Sequence, residues 1–285
     1  MKLKLQLIFL FLGFMSLNAE DLRLQMNQLS KNISNYKIID VRPETQYQQG
    51  HIKNALNFPV SLTYDDKSVN GKLTEPSKMQ NILRKLGLDI NDQVVIYDDG
   101  TFFDAARLFW SLEVYGFKSV KLLNSGFEEW SDLDLPISKE TPNIKESTYI
   151  ASVDNKKLAT KFSTQIATKS PLIIIMDARK YSAYIGEESN AKRFGHIPEA
   201  ISKPAIHNIS SSNNFSKLKD MKELEELYKD IDKNKKIISY CDIGKISSSN
   251  YFSLRELGYD VANYDASWKE WGNDTELPIV TISKK

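Results

Sequence analysis

Apolar residues follow two rhythms along this chain. Short unbroken runs rich in β-branched residues, "KIID" (37–40), "VVIY" (94–97), "LIIIMD" (172–177) and "KIISY" (236–240), lack the alternation of a half-exposed strand. They read as buried parallel strands. Segments with helical spacing follow them, for example Ala105–Tyr115 and Ser248–Leu257, and each meets a glycine, Gly116 or Gly258, suited to a C-cap. Strand–loop–helix alternation predicts an α/β fold in which parallel sheets carry helices on both faces. Trp130, Trp268 and Trp271 fall in apolar-periodic stretches and are expected in cores. The run Lys217–Asp232 spaces opposite charges along its length and reads as the solvated face of a helix.

The pattern occurs twice. Ile38–Pro59 and Ile174–Pro204 each open on an apolar run, continue through Asp-x-Arg, and reach Gly-His-Ile before another apolar stretch. Val94–Trp130 parallels Ile237–Trp271 in the same way, so the period is the size of a domain. Two copies of one fold are expected, at 20–137 and 151–285. A stretch rich in Lys, Glu, Thr and Pro (138–150) serves as the linker between them.

Length agrees, since 285 residues exceed the usual single domain. Charge adds little: 38 basic and 37 acidic residues leave a formal net charge of +1, which gives no global reason to expect nucleic acid or an anionic membrane as partner. The amino terminus departs from the rest. "MKLK", then "LIFLFLGFMSL", then "NAED" is the order of a secretory signal with cleavage after Ala19, so residues 1–19 are expected to direct export, to the periplasm by such a signal's usual route. The apolar run is short for a membrane span, and no membrane association is expected once it is removed.

Chemistry enters with Cys241, the single cysteine, which cannot form an internal disulfide. An apolar strand ends at Tyr240, the loop "DIGKIS" follows, and a helix begins near Ser247 or Ser248. Gly244 lets the chain curl so that successive backbone N–H groups face inward as an anion nest, to which the helix N-terminus adds partial positive charge. A thiol placed there is available as the nucleophilic thiolate, and its loop would hold a negatively charged adduct. The competing reading is a small buried hydrophobe at a strand end.

Taken in order, Asp177, Arg179, Gly195–Pro198, the Tyr-Cys-x-x-Gly loop and "NYDASWKEW" (263–271) resemble the rhodanese sulfurtransferases in tandem-domain form. That resemblance implies a first domain that has lost its nucleophile, and Asp98 stands where the second copy has Cys241. It implies ping-pong transfer of a sulfane sulfur through a Cys241 persulfide, held by the loop Asp242, Ile243, Gly244, Lys245, Ile246 and Ser247. Asp177 and Arg179 are expected to brace the site, and His196 to position its loop. His51 repeats His196 in the copy without a nucleophile, which favours a structural role for both; His207 has no counterpart and is expected at the surface. No metal or organic cofactor is implied. Expected partners are a small sulfur-containing substrate, a thiol or cyanide-like acceptor, and a protein sulfur acceptor.

The chain departs from the family where substrate is chosen. Thiosulfate-type members carry Cys-Arg-Lys-Gly and mercaptopyruvate-type members Cys-Gly-Ser-Gly, whereas this chain has Cys241-Asp242-Ile243-Gly244. The substrate arginine expected four positions after Arg179 is Ala183. Lys245 and Arg193 are the candidates to restore positive charge. The alternative function is a non-catalytic sulfur carrier or binding module working with a partner protein. A cysteine phosphatase would need an arginine at Ser247 to clamp phosphate.

Overall fold

The computed structural model describes residues 21–65, 71–212 and 215–282. The expected signal, 1–19, lies outside them. Among the described residues, no helix is long and apolar enough to cross a membrane.

The first half contains strands β1 (Arg23–Leu24), β2 (Lys37–Asp40), β3 (His51–Ile52), β4 (Leu56–Asn57), β5 (Val94–Tyr97), β6 (Val120–Leu123) and β7 (Ile137–Ser138). Its helices are α1 (Met26–Lys31), α2 (Glu44–Gln49), α3 (Pro76–Lys85), α4 (Phe103–Val114) and α5 (Phe127–Asp132). The second half contributes β8 (Leu158–Ala159), β9 (Ile173–Asp177), β10 (Ala200–Ser202), β11 (Ile209–Ser212), β12 (Phe215–Leu218), β13 (Lys236–Tyr240) and β14 (Val261–Tyr264). With them come α6 (Lys161–Ala167), α7 (Tyr181–Ile185), α8 (Met221–Tyr228), α9 (Ser247–Glu256) and α10 (Ser267–Trp271).

The sheets repeat one topology. Strand order is β1-β6-β5-β2-β4 in the first and β8-β14-β13-β9-β10 in the second, and every neighbouring pair is parallel. The four apolar runs of the sequence are the central strands. "VVIY" is buried along its whole length, because helices cover both faces and no alternate position meets water. The two domains also share a core: Phe109 on α4 meets Phe252 on α9 edge to face, with ring centroids 4.9 Å apart. This packing sets α9, and the loop that feeds it, directly against the first domain.

Two sequence expectations are modified. The helix expected over Lys217–Asp232 starts only at Met221, because residues 215–218 pair antiparallel with 209–212, and Asp220 then caps the helix by accepting from Glu223 N–H. The linker begins inside β7, which pairs with β3. Its far end is pinned by Tyr149, whose hydroxyl donates to Tyr115 O at 2.7 Å and whose carbonyl accepts from Arg84 Nε at 2.7 Å. Trp130, Trp268 and Trp271 are fully buried, and His207 is exposed.

Candidate active site

The Asp-x-Arg motifs form the same brace in both copies. Arg179 N–H donates to its neighbour Asp177 Oδ1 at 2.9 Å, its Nη2 donates to Asp177 Oδ2 at 2.6 Å, and the same nitrogen reaches Gly195 O at 2.7 Å. Tyr240, the last strand residue before the cysteine, donates its hydroxyl to Asp177 Oδ2 at 2.6 Å and accepts from Ile197 N–H. Arg42, Asp40, Gly50, Tyr97 and Ile52 repeat each of these bonds. His196 stacks on Tyr184 with Nδ1 2.7 Å from Tyr184 O, as His51 stacks on Tyr47 with Nδ1 2.9 Å from Tyr47 O. Burial holds His196 below its ordinary value, so the ring favours its neutral form. A network present in the copy without a thiol aligns the Gly-His-Ile turn with the strand end; it needs no substrate.

Cys241 follows that strand end and is buried. Its N–H donates to Ser267 Oγ at 3.1 Å, and its carbonyl accepts from Trp268 N–H at 2.9 Å. Lys269 N–H bonds Asp242 O at 3.0 Å, so the start of α10 grips both residues. Ser247 Oγ lies 3.4 Å from the sulfur and 2.6 Å from Asn263 Oδ1. The Asn263 amide nitrogen in turn donates to Gly244 O and Ser248 Oγ. The single hydroxyl proton of Ser247 therefore has two acceptors, a side-chain carbonyl and the sulfur.

Between Asp242 and Ser247 no backbone N–H has an acceptor among the described residues; the first internal bond of the turn is Ser248 N–H to Lys245 O at 3.1 Å. Buried amides are almost always paired, so a curl of unpaired ones beside a thiol is a seat for an anion. Gly244 makes the curl possible. Its φ is +69°, and a Cβ there would sit 2.5 Å from Asp265 O and 2.8 Å from Arg107 Nη1.

Sequence reasoning missed what lies behind the loop. Arg107 on α4 is fully buried and donates to Gly244 O (3.2 Å), Gly71 O (2.7 Å) and Thr63 Oγ1 (3.3 Å). Phe103, also on α4, packs with Ala178, Ala205, Ile246 and Cys241. The missed signal was "AAR" in a helix read only as core; its target is 137 positions away.

Two expectations for substrate charge are corrected. Arg193 donates to the carbonyls of Trp271, Gly272, Asp274 and Leu277, and ties down the carboxy-terminal segment instead of offering its guanidinium to a donor. Lys245 pairs with Asp104 of the first domain, so its charge is already met.

A cavity of about 270 Å³ opens beside the loop, lined by Arg179, Lys180, Ala183, Glu188, Ser189, Asn190, Asp242 and Ile246. Asp242 accepts from Asn190 Nδ2 at 3.0 Å; burial pushes its carboxyl up, against the pull of Asn190 and Arg179. Two larger cavities, of about 620 and 590 Å³, lie in the first domain and linker, and no residue of the Cys241 loop lines either.

The first copy's loop shows what such a seat holds. The Asp98 carboxylate accepts from Gly100 N–H at 2.8 Å and Ala105 N–H at 3.3 Å, so it fills the nest as an internal anion. Burial, with Asp99 nearby, raises Asp98 to about 6 against the pull of those amides.

A family model described as "Rhodanese-like domain" matches residues 25–133 and again 158–274. A protein of Haloferax volcanii provisionally named a thiosulfate sulfurtransferase is 31% identical over 256 residues, 86% of this chain and 88% of that protein. A sulfur carrier protein, TtuD, of Thermus thermophilus is 30% identical over 82% of this chain and 86% of its own length. Among solved structures, SseA of Escherichia coli, described with the rhodanese fold and the mechanism of 3-mercaptopyruvate sulfotransferases, has a TM-score of 0.77 at 24% identity, covering 87% of this chain and 98% of that one. EanB in complex with ergothioneine also gives 0.77 at 22% identity, matching 88% of this chain, which spans 65% of that protein.

Proposed function

The chain belongs to the rhodanese family, and on that premise we propose that it is a sulfurtransferase that carries a sulfane sulfur on Cys241. The Cys241 thiolate attacks the outer sulfur of a donor. A new S–S bond forms, the donor's bond to that sulfur breaks, and its electron pair leaves with the remainder: sulfite from thiosulfate, or a thiolate from an organic persulfide. An acceptor such as cyanide or a thiolate then attacks the outer sulfur of the Cys241 persulfide and regenerates the thiolate. The supporting observation is the set of unpaired amides from Asp242 to Ser247 around the chain's single cysteine.

The residues beside the loop bear on the donor. Asp242 and Glu188 line the cavity with Lys180 as the one cation not already paired among its lining residues, Ala183 stands where an arginine is usual, and the Arg179 charge is met by Asp177. The net negative wall opposes a dianion such as thiosulfate, so the monoanion 3-mercaptopyruvate or an uncharged organic polysulfide is the better donor, and a persulfide ionised on its outer sulfur is opposed in proportion to its charge. The test supplies thiosulfate, 3-mercaptopyruvate or glutathione persulfide with cyanide, and follows thiocyanate together with the intact mass of Cys241. A gain of about 32 Da that Cys241→Ser abolishes is expected. Full turnover by Cys241→Ser would defeat the mechanism.

The likeness to TtuD supports a second reading, in which the loaded sulfur passes only to a partner protein. Transfer that appears only when such a partner is added, with no turnover on small acceptors, would favour it. Export rests on the sequence of residues 1–19: mass spectrometry of the protein from its native compartment is expected to find a mature chain beginning at Glu20 in the periplasm.

A further inference from the structure

Arg107 carries a buried charge that no salt bridge meets among the described residues. Its side chain is fully buried, yet its hydrogen bonds go to two backbone carbonyls and one hydroxyl, and it forms no ion pair among the described residues. The rings of Tyr64 and Trp110 cover its guanidinium at 4.5 and 4.6 Å. A buried guanidinium without a salt bridge is costly: burial presses its ionisation downward, and the nearby charge of Asp265 opposes that only in part. The cost makes sense if an anion is meant to form nearby.

We propose that Arg107, supplied by the domain that lacks the nucleophile, is the countercharge for the anionic sulfur of Cys241, acting as a positioning residue through Gly244. The geometry is direct. One guanidinium nitrogen joins Asn263 and Ser248 in holding the Gly244 carbonyl, while the loop's amides stay free, and the positive charge lies against the same loop. The other charged groups around it do not take this role. Lys245 is paired with Asp104, Arg179 with Asp177, and Asp242 is bonded to Asn190. Asp265, whose field Arg107 feels, is held by the N–H groups of Leu73 and Ala266. The place is specific to this residue, because the closest approach of Arg107 needs the missing side chain at Gly244. A further glycine, Gly71, brings the first domain's backbone onto the loop: a Cβ there would meet Ile243 O at 2.1 Å.

This inference rests on the sulfur-transfer reading, and the experiment separates the two. Wild type, Arg107→Lys and Arg107→Met are loaded with inorganic polysulfide, and the persulfide on Cys241 is followed by intact mass. In parallel, the rates of Cys241 modification by anionic iodoacetate and neutral iodoacetamide are compared, a ratio that reads local charge and not loop shape. Arg107→Met, if folded by circular dichroism, is expected to lose its persulfide about tenfold faster and to lower the iodoacetate-to-iodoacetamide ratio about fivefold, while Arg107→Lys stays near wild type. An unchanged ratio in folded Arg107→Met overturns the proposal. Should that variant not fold, wild type decides alone: its ratio must exceed that of the same chain in urea, and parity overturns the proposal. Wild type that takes up no sulfur defeats the sulfur-transfer reading, while the alkylation ratio still judges Arg107.

Discussion

At residue 98 a carboxylate occupies the seat that a sulfur occupies at residue 241, and the difference has consequences for stability. Asp98 titrates at about 6 in the fold, against 3.8 for an ordinary aspartate. Between those values the unfolded chain is ionised while the native one still holds its proton, so native stability falls as pH rises from about 4 to about 6 and is flat above. The loss amounts to about 3 kcal/mol. Asp98→Asn removes it: the stability lost between pH 4.5 and pH 7, read by urea unfolding, is expected to be smaller in the variant than in wild type by this contribution, while Asp242, Glu256 and Asp265 contribute alike to both. Asp242 supports a prediction about activity. Replacing it with Asn removes a negative charge from the cavity wall and is expected to raise kcat/KM for thiosulfate about fivefold, with little change for a neutral trisulfide. Equal gains on both donors would show that Asp242 does not select against the donor's charge.

At the scale of elements, the chain's local grammar was legible and its long-range partners were not. "KIISY" became β13 and the helix start at Ser247 is where the loop length put it, because buried parallel strands and glycine-permitted turns leave local marks. The duplicated Asp-x-Arg and Gly-His-Ile motifs were legible for the same reason: Arg179 bonds both Asp177 and Gly195, neither more than 16 positions from it. Arg193 misled because proximity to His196 in sequence says nothing of the four carbonyls of 271–277 that claim its guanidinium. Ser267 was read as part of a motif around core tryptophans, yet its hydroxyl receives the Cys241 N–H. Arg107 and Gly71 left no local mark, since their meaning is a loop in the other domain. One element-level substitution tests the loop. Gly244→Ala forces a side chain into a backbone at φ +69° that already touches Asp265 O and Arg107. Persulfide retention on Cys241 is expected to fall more than about tenfold, with only about 1–3 kcal/mol lost in overall stability by urea unfolding. A variant that retains its persulfide would mean the curl is not what holds the sulfur.

The molecule works as one unit because its halves are joined by a buried charge cluster as well as an apolar core. Glu113 on α4 receives hydrogen bonds from the Tyr251 hydroxyl at 2.6 Å, Lys157 Nζ at 2.9 Å and Arg255 Nη2 at 3.1 Å, all from the second half. Burial alone would push this carboxyl up, but Arg255, Lys157 and Tyr251 outweigh it and hold Glu113 below the ordinary glutamate value of 4.5. The native state therefore keeps the charge to lower pH than the unfolded chain does, and the stability this cluster supplies is present above about 4.5 and lost as pH falls through the folded value. Glu113→Gln removes the first half's anion from Lys157 and Arg255, both of the second half, and so weakens the ion pairs that cross the interface. Because both cations keep partial contact with water, the expected cost is about 2 kcal/mol rather than that of a fully buried pair. Its form matters more than its size. Two domains coupled through α4 and α9 should unfold in one transition, and weakening that coupling should split the variant's urea curve at pH 7, with the second domain losing near-ultraviolet signal first. The same loosening draws Arg107 and Phe103 away from the Cys241 loop, so persulfide retention should fall in parallel with the first transition. A Glu113→Gln protein that melts once, at the wild-type midpoint, would place the coupling in the apolar contact of Phe109 with Phe252 instead.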